Sequence, residues 1–172
     1  MTDRHPERFG AYYVEHIAPR HDRKSFNCGK SSMNDFLVDR GLSQASGETY
    51  VVVPHPQSPV IMAYYTVWPD PIELGGEEPD DVDASVIQLE RLAVDTRHQR
   101  RKIGQSLLVR LIVQVVEVAD ALGIQALNLV ALDEEAKAWY LGREFGFQEL
   151  APGSRRLTLP VDTIRLLLGN KE

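Results

Sequence analysis

The chain has 172 residues, 43% hydrophobic and 26% charged, a make-up that excludes a fibrous, disordered or disulfide-stapled protein and suits one globular domain spanning 1–172. Its single cysteine excludes an internal disulfide, and neither a membrane-length apolar run nor a signal-peptide core interrupts the polar start MTDRHPERFG, so a cytoplasmic protein is expected. A net charge of -6 and a pI near 5.4 exclude a chain that is basic throughout, but not one with a basic face.

Residues 1–10 read as a loose leader before a strand over Tyr12–Ile17. In HDRKSFNCGKSSMNDFLVDRGLSQ, Ser31 or Ser32 caps a helix, and Met33, Phe36, Leu37 and Leu42 recur at helical spacing to about Gln44. Cys28 lies beside Gly29 in a turn-like stretch, a poor setting for a nucleophile. After Gly47, Tyr50–Val53 forms a strand stopped by Pro54 and Pro56; Val60–Trp68, bounded by Pro59 and Pro69, completes an antiparallel hairpin with it. From Pro69 to Asp83 the chain reads as a surface connector. It holds seven acids (Asp70, Glu73, Glu77, Glu78, Asp80, Asp81, Asp83) and no base, so without them the remainder stands at +1. The acidity is therefore local, and another face is left to meet phosphate.

Val86–Val94 is an apolar, β-branched strand, Asp95–Lys102 a basic turn, and Ile103–Leu122 a helix with a broad apolar face, closed by Gly123. Successive N–H groups entering a helix N-terminus form a concave anion site to which the helix dipole adds. Arg97, Arg100, Arg101 and Lys102 crowd that turn, which suits either a bound polyphosphate or a solvated basic loop. Ile124–Val130 is the next strand, parallel to 86–94 by a crossover connection. Asp133 caps a helix over Glu134 to about Glu144, Phe145-Gly146-Phe147 turns into a short strand, Arg155–Leu159 is a further strand, and Ile164–Leu168 an apolar tail. The five histidines show no paired ligand spacing, so no metal is expected.

The strand at 86–94, the turn Gln99-Arg100-Arg101-Lys102-Ile103-Gly104 and the later AKAWYLGREFGF together resemble the GCN5-related N-acetyltransferases, the GNAT family. That family's phosphate-loop pattern is Gln/Arg-x-x-Gly-x-Gly/Ala. Gln99, Ile103 and Gly104 fit it, while Lys102 stands where the middle glycine belongs and either crowds a pyrophosphate or contacts it through its ammonium. HDRKSFNCGKSSMNDFL, AYYTV, RLAVD and DEEAKAWYLGREFGF bring the resemblance closer to one branch, the acetyltransferase toxins of bacterial toxin-antitoxin pairs. The resemblance implies an α/β GNAT fold: a mixed, mostly antiparallel sheet of six to seven strands flanked by helices and splayed between two central parallel strands. It also implies acetyl-CoA as donor, the amine of an aminoacyl-tRNA as acceptor, a small DNA-binding antitoxin as partner, and a homodimer.

Acetyl transfer needs a held donor, a polarised carbonyl, a free amine and a proton for the departing thiolate. Backbone amides of Gln99, Arg100, Arg101, Lys102, Ile103 and Gly104, then Gln105 and Ser106, suit the CoA pyrophosphate. The resemblance assigns the carbonyl to backbone groups around Leu92, Ala93 and Val94, the general acid to Tyr140, and a contact with the pantetheine arm to Asn128. Tyr140 also reads as a core tyrosine beside Trp139, but the whole block AKAWYLGREFGF favours the catalytic role. Glu90, the one carboxylate of its strand, is a candidate base on the face of Leu92 and Val94, or an ordinary surface or salt-bridged acid. Arg91 either pairs with a carboxylate or approaches the tRNA, and an intramolecular pair is the simpler expectation. Two other readings stand beside the toxin: an acetyltransferase of a small cationic or protein amine, favoured by the acidic segment, and an inactive acyl-CoA-binding module, favoured by Lys102.

Overall fold

The computed structural model describes residues 5–70, 86–142 and 145–169. Along the chain these form β1 (Glu7–Phe9), β2 (Tyr12–His16), α1 (Ser31–Arg40), β3 (Glu48–Val53), β4 (Ala63–Trp68), β5 (Val86–Val94), α2 (Ile103–Leu122), β6 (Ala126–Val130), α3 (Glu134–Leu141), β7 (Gln148–Glu149), β8 (Arg156–Pro160) and α4 (Val161–Gly169). Short 3-10 turns occupy Gln44–Ser46 and Thr96–His98. The strands pair in the order β1-β2-β3-β4-β5-β6-β8-β7. Only the β5–β6 pair is parallel among the registers resolved, which is the mixed, mostly antiparallel sheet expected. Eight strands replace the expected six or seven because β1 and the two-residue β7 carry too little apolar pattern to read as strands.

The chain divides into two compact units, Met1–Val67 with Glu90–Leu108, and Trp68–Leu89 with Val109–Glu172. In the first, β1 to β4 make an antiparallel meander, with Val14 opposite Val52 and Val51 opposite Tyr64. One face of it packs Ile17, Phe26, Leu37, Val51, Val53, Ile61, Tyr64 and Ala93 into a dry cluster, which α1 covers through Leu37 while Met33 and Phe36 lie over its edge. In the second unit, β6 pairs parallel with Val86–Leu89 and antiparallel with β8, and Leu127, Leu129, Leu157 and Leu159 are buried. Gly146, at φ 96°, could not be otherwise: a Cβ there would stand 2.8 Å from Thr163.

Several boundaries differ from the sequence reading for local reasons. The expected leader includes β1, which Phe9 and Tyr12 pair through a tight turn. The cap of α1 is Lys30, without a side-chain bond, so Ser31 and Ser32 fall inside the first turn. That helix stops at Arg40 rather than Gln44, and Ser43 caps a separate 3-10 turn through its hydroxyl. The apolar tail at Ile164–Leu168 lies within α4. Most of the acidic connector, residues 71–83, lies outside the described residues, as do Arg143 and Glu144 of the third expected helix. Among the described residues no helix is long and apolar enough to cross a membrane.

Candidate active site

The strand β5 does two jobs in succession. Its first half pairs with β6 from Val86 opposite Ala126 to Leu89 opposite Leu129, and there the parallel register ends, although β5 runs on to Val94. In a strand alternate N–H groups point to opposite edges, so the stretch Glu90–Val94 offers backbone donors on the edge where pairing with β6 has stopped. Leu92, Ala93 and Val94 lie in this stretch, where alternation turns the N–H groups of Leu92 and Val94 to one edge and that of Ala93 to the other. Burial follows the same division: Ile87, Leu89 and Ala93 are buried, while Glu90, Arg91 and Leu92 are all half-buried. Glu90 shares a strand face with Leu92 and Val94. Its carboxylate enters no ion pair among the described residues.

The strand leads into a loop built around one carboxylate. Asp95 is 1% exposed; its Oδ1 accepts from the backbone N–H and the Nε of Arg97, both at 2.9 Å, and its Oδ2 from the N–H of Asn27 at 3.0 Å. Burial alone would raise its pKa, but these donors outweigh it and hold the carboxyl below the usual range. The N–H of Thr96 donates to the carbonyl of Asn27 at 2.8 Å, so the loop is stitched to the early NCGK turn. Gln99 completes the stitching: its amide donates to the carbonyls of Val94 at 2.9 Å and Cys28 at 3.0 Å. Its side chain therefore holds the loop from beneath. Burial pushes the Cys28 thiol up, which suits this supporting position rather than nucleophilic work.

Beyond Gln99 the backbone turns through two left-handed residues, Arg100 at φ 66° and Lys102 at φ 62°. Lys102, at the position where the family pattern has glycine, thus lies in the left-handed region that glycine adopts most readily. Its side chain is exposed, as are those of Arg100 and Arg101, so all three cations stand on the outer side of the turn. Ile103 is buried and anchors the start of α2. The first bond of that helix runs from the N–H of Ser106 to the carbonyl of Lys102 at 3.0 Å, which leaves the N–H groups of Ile103, Gly104 and Gln105 ahead of the ladder without an intrahelical acceptor. Three free amides, a helix N-terminus and three exposed cations form a place where a diphosphate fits.

Two further candidates lie in the second unit. Tyr140 is 8% exposed on α3, its ring edge-on to Trp139 at 4.9 Å and to Phe147 at 5.6 Å. Burial pushes its phenol well above the normal tyrosine range, which keeps the proton on the oxygen, where it can be donated. Asp133 caps α3 as expected, its carboxylate accepting from the N–H of Ala136 at 2.8 Å. Asn128 accepts from the Thr158 hydroxyl at 2.5 Å through Oδ1, which turns its NH2 group to other acceptors.

Three features escaped the sequence reading. Asp95 as the hub of the loop is one; its signal, an acid directly after the strand and two residues before Arg97, was present. Lys137, one turn before Tyr140, is buried and pairs with Glu149 at 2.8 Å. Arg91, expected to pair with a carboxylate, instead lies over the Phe36 ring at 4.6 Å from its centroid. The reason is parity: Arg91 shares the face of Ala93, against which α1 packs.

Known proteins with this pattern are numerous in sequence and in structure. A family model described as acetyltransferase (GNAT) family matches residues 13–147. A tRNA-acetylating toxin of Mycobacterium tuberculosis (strain ATCC 25618 / H37Rv) is 30% identical over 164 residues, 90% of this chain and 95% of that one. Among solved structures, a mutant of KacT superposes with a TM-score of 0.74 at 27% identity, covering 91% of this chain and 99% of its own. A complex of KacTA with DNA superposes with a TM-score of 0.71 at 30% identity, covering 92% and 99%.

Proposed function

The chain belongs to the GNAT acetyltransferase family, and from that premise we propose that it moves the acetyl group of acetyl-CoA to the amine of an aminoacyl-tRNA, as the toxin of a toxin-antitoxin pair. The observation that carries this is the loop Gln99–Ser106, held rigid from beneath and presenting free amides and cations outward. It supplies the donor site. The acceptor rests on the relatives, one of which acetylates tRNA and another of which forms a complex with DNA, consistent with a small DNA-binding antitoxin as partner. We further propose a cytoplasmic homodimer in which one acetyltransferase domain, matched by the family across both units, carries out the reaction.

In this reading the amides of Ile103, Gly104 and Gln105, flanked by Gln99, Arg100, Arg101, Lys102 and Ser106, bind the CoA diphosphate. The NH2 group of Asn128 donates to a carbonyl of the pantetheine arm. Of the backbone groups around Leu92, Ala93 and Val94, the N–H groups of Leu92 and Val94, which alternate to the edge away from β4, stabilise the oxyanion as the amine nitrogen attacks the thioester carbon, an effect worth a few kcal/mol. As the C–S bond breaks, Tyr140 gives its proton to the leaving thiolate, and the attacking amine gives up one of its own. Glu90 takes that proton directly or through water.

The test is purified protein with labelled acetyl-CoA and a pool of charged tRNA, followed by mass spectrometry of the terminal aminoacyl-nucleosides. Label on the aminoacyl amine supports the proposal. Label that appears only on polyamines or protein lysines replaces it with the small-amine reading, and CoA binding without thiol release replaces it with an inactive module.

A further inference from the structure

Arg91 occupies an unusual position. Its guanidinium lies over Phe36, and among the described residues its one hydrogen bond runs from Nη1 to the carbonyl of its own neighbour Glu90, at 2.7 Å. No described carboxylate neutralises it, and the side chain is half-buried, so one side of it is backed by a ring while part remains open to solvent. The backing is rigid. Phe36 lies parallel to Tyr64 at 6.5 Å with an interplanar angle of 8°, Phe26 meets Tyr64 edge-on at 5.3 Å, and the Tyr64 hydroxyl donates to the Met33 carbonyl at 2.7 Å, tying the stack to α1.

A planar cation held over one aromatic ring and partly open to solvent offers a stacking surface for a second π-system, and guanidinium planes stack readily on nucleobases. Its place along the chain suits an acceptor group. Strands rise about 3.3 Å per residue, so Arg91 to Val94 spans about 10 Å, the reach of a terminal nucleotide carrying an ester-linked amino acid. We propose that Arg91, backed by Phe36, is the platform on which the 3′-terminal nucleobase of the acceptor RNA stacks, presenting its aminoacyl amine to the strand beside it. The inference rests on the aminoacyl-tRNA reading and adds to it the residue that recognises the RNA end.

The experiment compares three acceptors bearing one amino acid: the charged tRNA, an aminoacyl-adenosine amide and the methyl ester, which has no base. Stacking on a protein surface is worth about tenfold or more per base. In Arg91→Lys, which keeps the charge and loses the plane, KM for the two base-bearing acceptors rises about tenfold more than KM for the ester, with kcat at saturation following the ester. Phe36→Leu moves the same way. Equal losses on all three acceptors would make Arg91 a brace between α1 and β5, and overturn the proposal.

A second measurement keeps the test independent of catalysis. The trinucleotide CCA, titrated into the isotope-labelled wild-type protein, shifts the Nε–H resonance of Arg91 and leaves that of Arg97 in place. If no acceptor is acetylated yet this shift occurs, the platform stands and the toxin reading falls. If the resonance stays still, the platform falls whatever the acetylation assay gives.

Discussion

Lys102→Gly tests the conformation on which the donor loop depends. Lys102 sits at φ 62°, where an L residue pays about 1–2 kcal/mol for its Cβ. Glycine removes that strain but its freer unfolded chain takes back about 0.5–1 kcal/mol. The net expectation is a stabilisation of about 0.5–1 kcal/mol. For a chain of this length that raises Tm by about 1–4 °C. Lys102→Val provides the opposite arm, since a β-branched residue tolerates positive φ least, and its Tm should fall by several degrees, on the order of the 1–2 kcal/mol it adds. The lost ammonium is exposed, so its attraction to a diphosphate is worth at most about 1 kcal/mol and CoA affinity should weaken no more than about fivefold. Scanning calorimetry of the three proteins, with titration calorimetry against CoA, measures both quantities. A glycine variant less stable than the parent, beside a valine variant unchanged, would mean that residue 102 is not held left-handed, and the account of the loop would fail.

Gln99→Met removes the two bonds to the Cys28 and Val94 carbonyls and should weaken CoA binding about fivefold while lowering stability by about 1–2 kcal/mol, read by calorimetry and thermal unfolding. Asp95→Asn should cost about 2 kcal/mol at neutral pH. Because the folded carboxyl lies below its unfolded value of about 3.9, its contribution is whole above about pH 5 and is lost as pH falls through 4 and below; that part of the acid slope should vanish in the variant. Tyr140→Phe keeps the edge-on ring contacts, so it should fold and bind CoA while kcat drops by about 10²–10⁴-fold. Glu90→Gln should lower kcat/KM by about 10²-fold with CoA affinity kept; an unchanged rate removes Glu90 from the reaction.

What was legible in the sequence was whatever a repeating pattern or a local rule controls. The nine-residue strand ending at Val94, the long helix from Ile103 to Leu122, and the Asp133 cap all carry such signals, and each is found where it was read. The features missed are those that a pairing partner, near or far along the chain, creates. β1 exists because Tyr12–His16 offers it an edge, and the Cys28 turn matters because Gln99, 71 residues later, bonds to its carbonyl. Lys102 is the instructive case. By residue type it departs from the family pattern, yet its backbone lies in the left-handed region that glycine adopts most readily.

Charge decides which acceptor this surface favours. Among the described residues, the unit holding the donor loop carries eleven lysines and arginines against eight acids, whereas the other carries five against eight. Three of the eight acids are held in pairs, Glu15 by Arg20 and His21, Glu48 by His16 and Asp95 by Arg97, and because Arg20 and Arg97 are themselves among the eleven cations the unit keeps its small positive excess. The exposed cations Arg97, Arg100, Arg101 and Lys102 have no comparable screen beyond the Asp95 pair. Such a field raises the encounter rate of a polyanion and slows that of a polyamine, and it does so more strongly at low salt. An RNA acceptor therefore gains from the same charges that serve the donor diphosphate, and its kcat/KM should fall steeply with ionic strength while that of a neutral aminoacyl ester stays level.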